Sequence, residues 1–106
     1  MGIEQAKDAI ETGCCLELYF ERYSMIVEPH AVGTDRFGRS LLLAFERCMD
    51  ALPTLGQWLF LPLDKARMVE VSGYLSEAPR PGYRPDDSRF IQILSQLPEV
   101  ERAQAA

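Results

Sequence analysis

His30 is the only histidine in the sequence, two residues after Glu28 and shortly before a polar stretch bounded by Gly33 and Gly38. An imidazole beside such a loop suits a ligand contact or a pH-sensitive donor. The ordinary alternative is a side chain that satisfies loop backbone groups after Pro29. Pairing it with Cys15 or Cys48 as a nucleophile would require an activated thiol, and nothing in the flanking sequence marks one. Metal binding would need further ligands at suitable spacing, and no Cys-x-x-Cys or His-x-x-x-His occurs. Glu17 and Glu28 are placed to face each other across a first hairpin. As an acid–base pair they would need a cleft that splits their pKa values, and two solvated carboxylates are the commoner outcome. Dinucleotide fingerprint, Walker loop and Gly-x-Ser-x-Gly elbow are all missing from the sequence. The residues point to a binder without a cofactor, and not to an enzyme.

Binding chemistry has better candidates. Tyr19 sits opposite the Leu16, Leu18, Phe20 face and offers a stacking surface, and Arg39 stands at the entrance to an apolar strand. Arg80, Arg84 and Arg89 form the densest basic group, with Asp86 and Asp87 among them. Tyr83, flanked by Arg80 and Arg84, reads either as an anion or partner contact or as a pin holding a proline-rich strap. Trp58 shares a face with Phe60 and reads as core.

The elements that must carry these residues follow from periodicity. Ile3, Ala6, Ala9 and Ile10 make one helical stripe, and Gly13 is a suitable stop. From Cys14 the period becomes two: Leu16, Leu18 and Phe20 lie on one face, and Glu21-Arg22 makes a turn. A second strand follows and should end at Pro29. Ser40 to Glu46 is apolar on both faces, hence central. The connection from Met49 to Gly56 has no defined form. Trp58 to Leu63 and Arg67 to Ser72 are further strands, with a bend at Leu63-Asp64-Lys65-Ala66. The prolines at 79, 81 and 85 impose a strap. Asp86 then caps an expected last helix with the stripe Phe90, Ile93, Leu94, Leu97. The connections are too short for parallel crossovers.

At 106 residues there is room for one domain, and 47% hydrophobic with 25% charged residues is an ordinary globular mixture. The net charge of −5 and the presence of only two lysines speak against a non-specific grip on nucleic acid. No apolar run reaches membrane-span length, and Met1 to Glu11 lacks a signal-peptide pattern. Three cysteines, two of them adjacent, suit a reducing compartment, so a cytoplasmic location is expected.

In order and spacing the chain resembles the WYL domains of bacterial regulators over roughly residues 6 to 97. The resemblance is carried by Ala9-Ile10-x-x-Gly13, Val27-Glu28-Pro29-His30, the glycine-bounded loop, an apolar strand and Leu63-Asp64-Lys65. The later Arg80-Pro81-Gly82-Tyr83 and Asp86-Asp87 are similar to the ending of short stand-alone WYL-like proteins. Ser40-Leu41-Leu42 stands where the name-giving Trp-Tyr-Leu would be. Pro62 replaces a common arginine, and Lys65 and Ala66 replace the Arg and Ile of the following turn.

The resemblance implies a mainly β (α+β) fold, a small Sm-like or SH3-like antiparallel barrel or curled sheet of about five strands. An N-terminal and a C-terminal helix would flank it. The barrel core would span about 14-75, the strap and last helix 76-98, and a frayed tail 99-106. It further implies a ligand-binding or regulatory module for a small anionic or nucleotide-like ligand, held by Lys65, Arg39, Tyr19 and His30. The dozen residues before the first strand are too few for a winged helix. The alternative expectation is therefore a module that forms a homo-oligomer or docks on a separate DNA-binding partner.

Overall fold

A computed structural model describes residues 2–47 and 57–99. Helix α1, Ile3–Thr12, buries Ala6, Ala9 and Ile10 and ends at Gly13, whose φ of 74° is the left-handed geometry the stop requires. Among the described residues six strands follow: β1 Cys14–Phe20, β2 Tyr23–Thr34, β3 Ser40–Arg47, β4 Gln57–Pro62, β5 Ala66–Leu75 and β6 Gln92–Gln96. A short 3-10 turn, Leu63–Lys65, joins β4 to β5. The expected Met49 to Gly56 connection, Cys48 and all of the tail but Glu99 lie outside the described residues.

All strands pair antiparallel in one sheet of order β4-β3-β2-β1-β5, with β6 added on β2. The sheet is not closed. Strand β2 organises it. Along one edge it pairs with β3. Along the other, Tyr23 to Val27 pair with β1, and Ala31 to Thr34 pair with β6. The expected stop at Pro29 is corrected: β2 runs through it. Proline lacks a donor, but Pro29 falls between the β1-paired and β6-paired stretches, and the β3 register shifts between Pro29 and Ala31.

Two apolar clusters lie against the sheet. One joins α1 to Leu16, Leu18, Val27, Val32, Leu42 and Leu61. The second joins Ala31 and Leu43 to Tyr83 and Phe90, with Trp58 and Phe60 packed on it. Strand β3 is central, as its two apolar faces require.

The expected C-terminal helix is the main correction. Residues 92–96 form β6, and Asp86 caps nothing; its φ is 62° and its carboxylate accepts from the Gln96 side-chain amide at 3.0 Å. The apolar stripe did return to the sheet, since Phe90 is buried, but Leu94 is 38% exposed and lies off the packed face. Between Pro85 and Pro98 only a marginal helix fits, and pairing with β2 supplies backbone partners that a short helix could not outweigh. Gly33 makes this pairing possible. A Cβ there would run into the backbone carbonyl of Gln92, so β6 approaches β2 as only glycine allows. The expected Gly33–Gly38 loop is correspondingly shorter, with Gly33 and Thr34 inside β2.

Candidate functional site

The apolar run Met25 to Val32 on β2 carries two polar side chains, Glu28 and His30, and both are fully buried. Burial of a carboxylate demands partners. Arg80 supplies them: its Nε donates to Oε1 at 2.6 Å and its Nη2 to Oε2 at 3.1 Å, and the Glu77 backbone N–H donates to Oε2 at 3.1 Å. Burial pushes the Glu28 carboxyl up, but these donors outweigh it and hold the group below its ordinary value. The guanidinium lies 4.8 Å from the Phe45 ring centroid.

His30 faces the same strap. Its Nε2 accepts the Arg80 backbone N–H at 3.0 Å, which places the ring proton on Nδ1, 2.8 Å from the Glu28 carbonyl. Burial lowers its pKa, against the pull of the Glu28 carbonyl. The Trp58 and Tyr83 rings flank it at 4.6 and 5.0 Å. Tyr83 donates its hydroxyl to the Leu97 carbonyl at 2.6 Å, and burial with Asp86 nearby raises its pKa to about 12. The strap is therefore fastened at Glu77, Arg80 and Tyr83.

Beyond the fastened strap lies an open groove with two lobes sharing Phe60. The larger, about 540 Å³, is lined by Arg36, Phe37, Phe60, Arg89 and Ile91 among others. The smaller, about 190 Å³, is bounded by Trp58, Phe60, Tyr83, Arg84 and Asp87. Phe37 is 69% exposed, with Arg36 and Arg39 guanidinium carbons 5.5 and 4.9 Å from its centroid. Arg89 stands 4.2 Å over Phe60. Asp35 is engaged by Arg39 at 3.1 Å and accepts from the Phe37 and Arg39 backbone N–H groups, which together lower its pKa. Asp87 is 3.8 Å from Arg89. Among the described residues Arg36 and Arg84 make no ion pair. Cationic, aromatic and apolar groups thus converge on a concave surface of ligand size.

No family model, curated protein or solved structure matches the chain. What it does has to be read from its own residues.

The four residues expected to hold a ligand are dispersed. His30 is walled off behind the strap. Tyr19 lines a separate depression of about 150 Å³ with Glu17, Met68 and Glu70. Lys65 is exposed at the end of the 3-10 turn and lines none of the three pockets. Arg39 alone flanks the groove, through Phe37. Glu17 and Glu28 do not face each other: Glu17 is opposite Ile26 and Glu70, and Glu28 is opposite Phe45. Cys15 is buried, with its Sγ receiving Arg47 Nη1 at 3.5 Å, and burial raises its pKa. Among the described residues no group of three or more His, Cys, Asp or Glu is arranged for a metal ion, and no helix is long and apolar enough to cross a membrane.

Sequence reasoning missed Arg36, Phe37 and the clamp on Glu28. For the clamp a signal existed: a carboxylate and an imidazole inside an otherwise apolar strand must be buried and must therefore be paired. For Arg36 and Phe37 none existed, because the groove is made by the approach of residues 84–91, more than forty positions away.

Proposed function

We propose that this protein is a ligand-binding module for a small anion bearing a planar ring, nucleotide-like in chemistry, and that the two-lobed groove is its site. One observation carries this reading: Arg36, Arg89, Phe37 and Phe60 line one concave lobe on a chain whose net charge is −5. A cationic concavity on an acidic body concentrates anions locally without binding polyanions in general. Arg36 and Arg84, without an ion pair among the described residues, supply guanidinium donors, and the exposed Phe37 ring and Phe60 supply faces for stacking. The resemblance to WYL domains agrees with this class of ligand. The leading helix and the antiparallel sheet are what supports an Sm-like or SH3-like affinity.

A thermal-shift screen of nucleotides and short oligonucleotides tests the reading. A ligand present at one hundred times its Kd stabilises the native state by about 2.7 kcal/mol. A domain of this size should then melt higher by roughly 10 °C or more. A flat response to the whole screen at millimolar ligand contradicts the proposal.

A second reading has its own support. Among the described residues β4 and β5 are each paired on one side only, and exposed strand edges invite pairing with another chain. Under that reading the protein is an interaction module, and sedimentation at rising concentration should reveal an oligomer. A monomer throughout removes it.

A further inference from the structure

We infer that residues 76–84 form an acid-released latch: protonation of His30 undocks them from β2 and β4 and dismantles the Trp58–Tyr83 lobe of the groove. The consequence for binding rests on the groove being the ligand site. The release itself does not.

The geometry allows the latch one protonation state. His30 Nε2 is an acceptor for the Arg80 N–H, and its Nδ1 proton is committed to the Glu28 carbonyl. A proton added at Nε2 sets an N–H against an N–H, inside a site with no exposure to water. Among the described residues the imidazolium has no free anion to turn to. On β2 itself the nearest carboxylate is Glu28, and both of its oxygens are already held by Arg80 and Glu77 from the strap. The strap also brings Arg80, whose positive charge opposes a second cation, and Glu77, which is engaged by Arg80 at 3.6 Å and by Arg47 of β3 at 4.0 Å. Cys15 of β1 meets Arg47, not the imidazole. From β4 comes the uncharged Trp58 ring, and Tyr83, beside Asp86, keeps its hydroxyl on Leu97. If Glu28 turned toward the imidazolium, Arg80 would lose its partner. Either response breaks a fastening of the strap.

The lobe depends on that fastening. Gly82, Tyr83 and Arg84 line the 190 Å³ pocket together with Trp58, and Gly82, at φ of 95°, sits where an added Cβ would be in van der Waals contact with Trp58 Nε1. Undocking residue 80 removes this wall, while the Arg36–Arg89 lobe stays on the turn at 35–37, β3, β4 and residues 88–91.

Amide hydrogen exchange followed by NMR, without any ligand, tests the latch. Protection factors, corrected for intrinsic rates, are measured for the Arg80 and Glu77 amides and for the β1–β2 ladder between about pH 7.5 and about pH 4.5. The expected result is about a tenfold loss of protection at Arg80 and Glu77, the factor given by about 1.4 kcal/mol, with the ladder unchanged. The midpoint should coincide with the imidazole titration, which is unambiguous with one histidine. His30→Gln keeps an acceptor oxygen and cannot titrate, so its strap protection should stay flat. Should that variant not fold, coincidence of the two wild-type midpoints decides. Flat wild-type protection, separated midpoints, simultaneous loss in the ladder, or the same loss in a folded His30→Gln protein each overturn the latch. A latch that holds with no ligand found would leave the groove reading alone at fault.

Discussion

At Glu28 a buried carboxylate is held by two guanidinium nitrogens and a backbone amide, and its partner is only about a quarter exposed. Removing the cation leaves the charge uncompensated, so Arg80→Ala should destabilise the protein by about 3 kcal/mol, read by urea unfolding. Glu28→Gln removes charge and desolvation together and should cost clearly less. A loss at Arg80→Ala within about 0.5 kcal/mol, typical of surface changes, would contradict the clamp. Acid should act in two stages of the same sign. His30 is held below the ordinary imidazole value of 6.5, so the unfolded chain takes up a proton first and stability falls as pH drops below that value. Glu28 is held below 4.5, so its contribution is present above that value and is lost as pH falls through the lowered folded pKa. A denaturant midpoint unchanged from neutrality down to pH 4.5 would contradict the first stage, and one unchanged from there down to about pH 3 would contradict the second. These residues were half legible: a polar pair within an apolar strand is visible in sequence, but its partner is fifty positions away and nothing local names it.

Among the elements, α1, the β1–β2 hairpin and β3 were readable because period and punctuation agree there: the stripe Ala6, Ala9, Ile10 ends at Gly13, and Leu16, Leu18 and Phe20 lead to a two-residue turn. The continuation of β2 through Pro29 was not readable, since proline is excluded from a ladder only where a donor is needed, and that depends on which strands are neighbours. The last element failed for a related reason. Phe90, Ile93, Leu94 and Leu97 have helical spacing, yet long-range pairing with β2 overrides it. Gly33 is the element-scale test. Because an added Cβ meets the Gln92 backbone and not a flexible side chain, Gly33→Ala should destabilise by about 3 kcal/mol, the upper end for overpacking. It should also strip protection from the Ile91 and Leu97 amides, which donate to Thr34 and His30. An alanine variant with wild-type stability would mean that β6 does not lie on β2.

At the scale of the whole molecule, residues 79–97 are part of the fold. Truncation after Ala78 removes Arg80, Tyr83, Phe90 and β6, leaves Glu28 and His30 without partners, and uncovers Leu43, Trp58 and Phe60. An insoluble or unfolded product is expected; a truncated chain with an unchanged Tm would contradict it. The same return of the chain builds the groove, which is why the overall class could be read from sequence while the site could not. The site joins the turn at Asp35–Arg39 to residues 84–91, and neither segment carries a binding pattern by itself. The most direct measurement is a backbone NMR titration with a nucleoside monophosphate, comparing wild type with Arg36→Ala/Arg89→Ala and with Lys65→Ala. Expected are shifts confined to residues 35–39, Trp58, Phe60 and 82–91, loss of affinity by about tenfold or more in the double variant, and unaltered binding in Lys65→Ala. Shifts centred on Tyr19 or Lys65, or a double variant that binds like the parent, would contradict it.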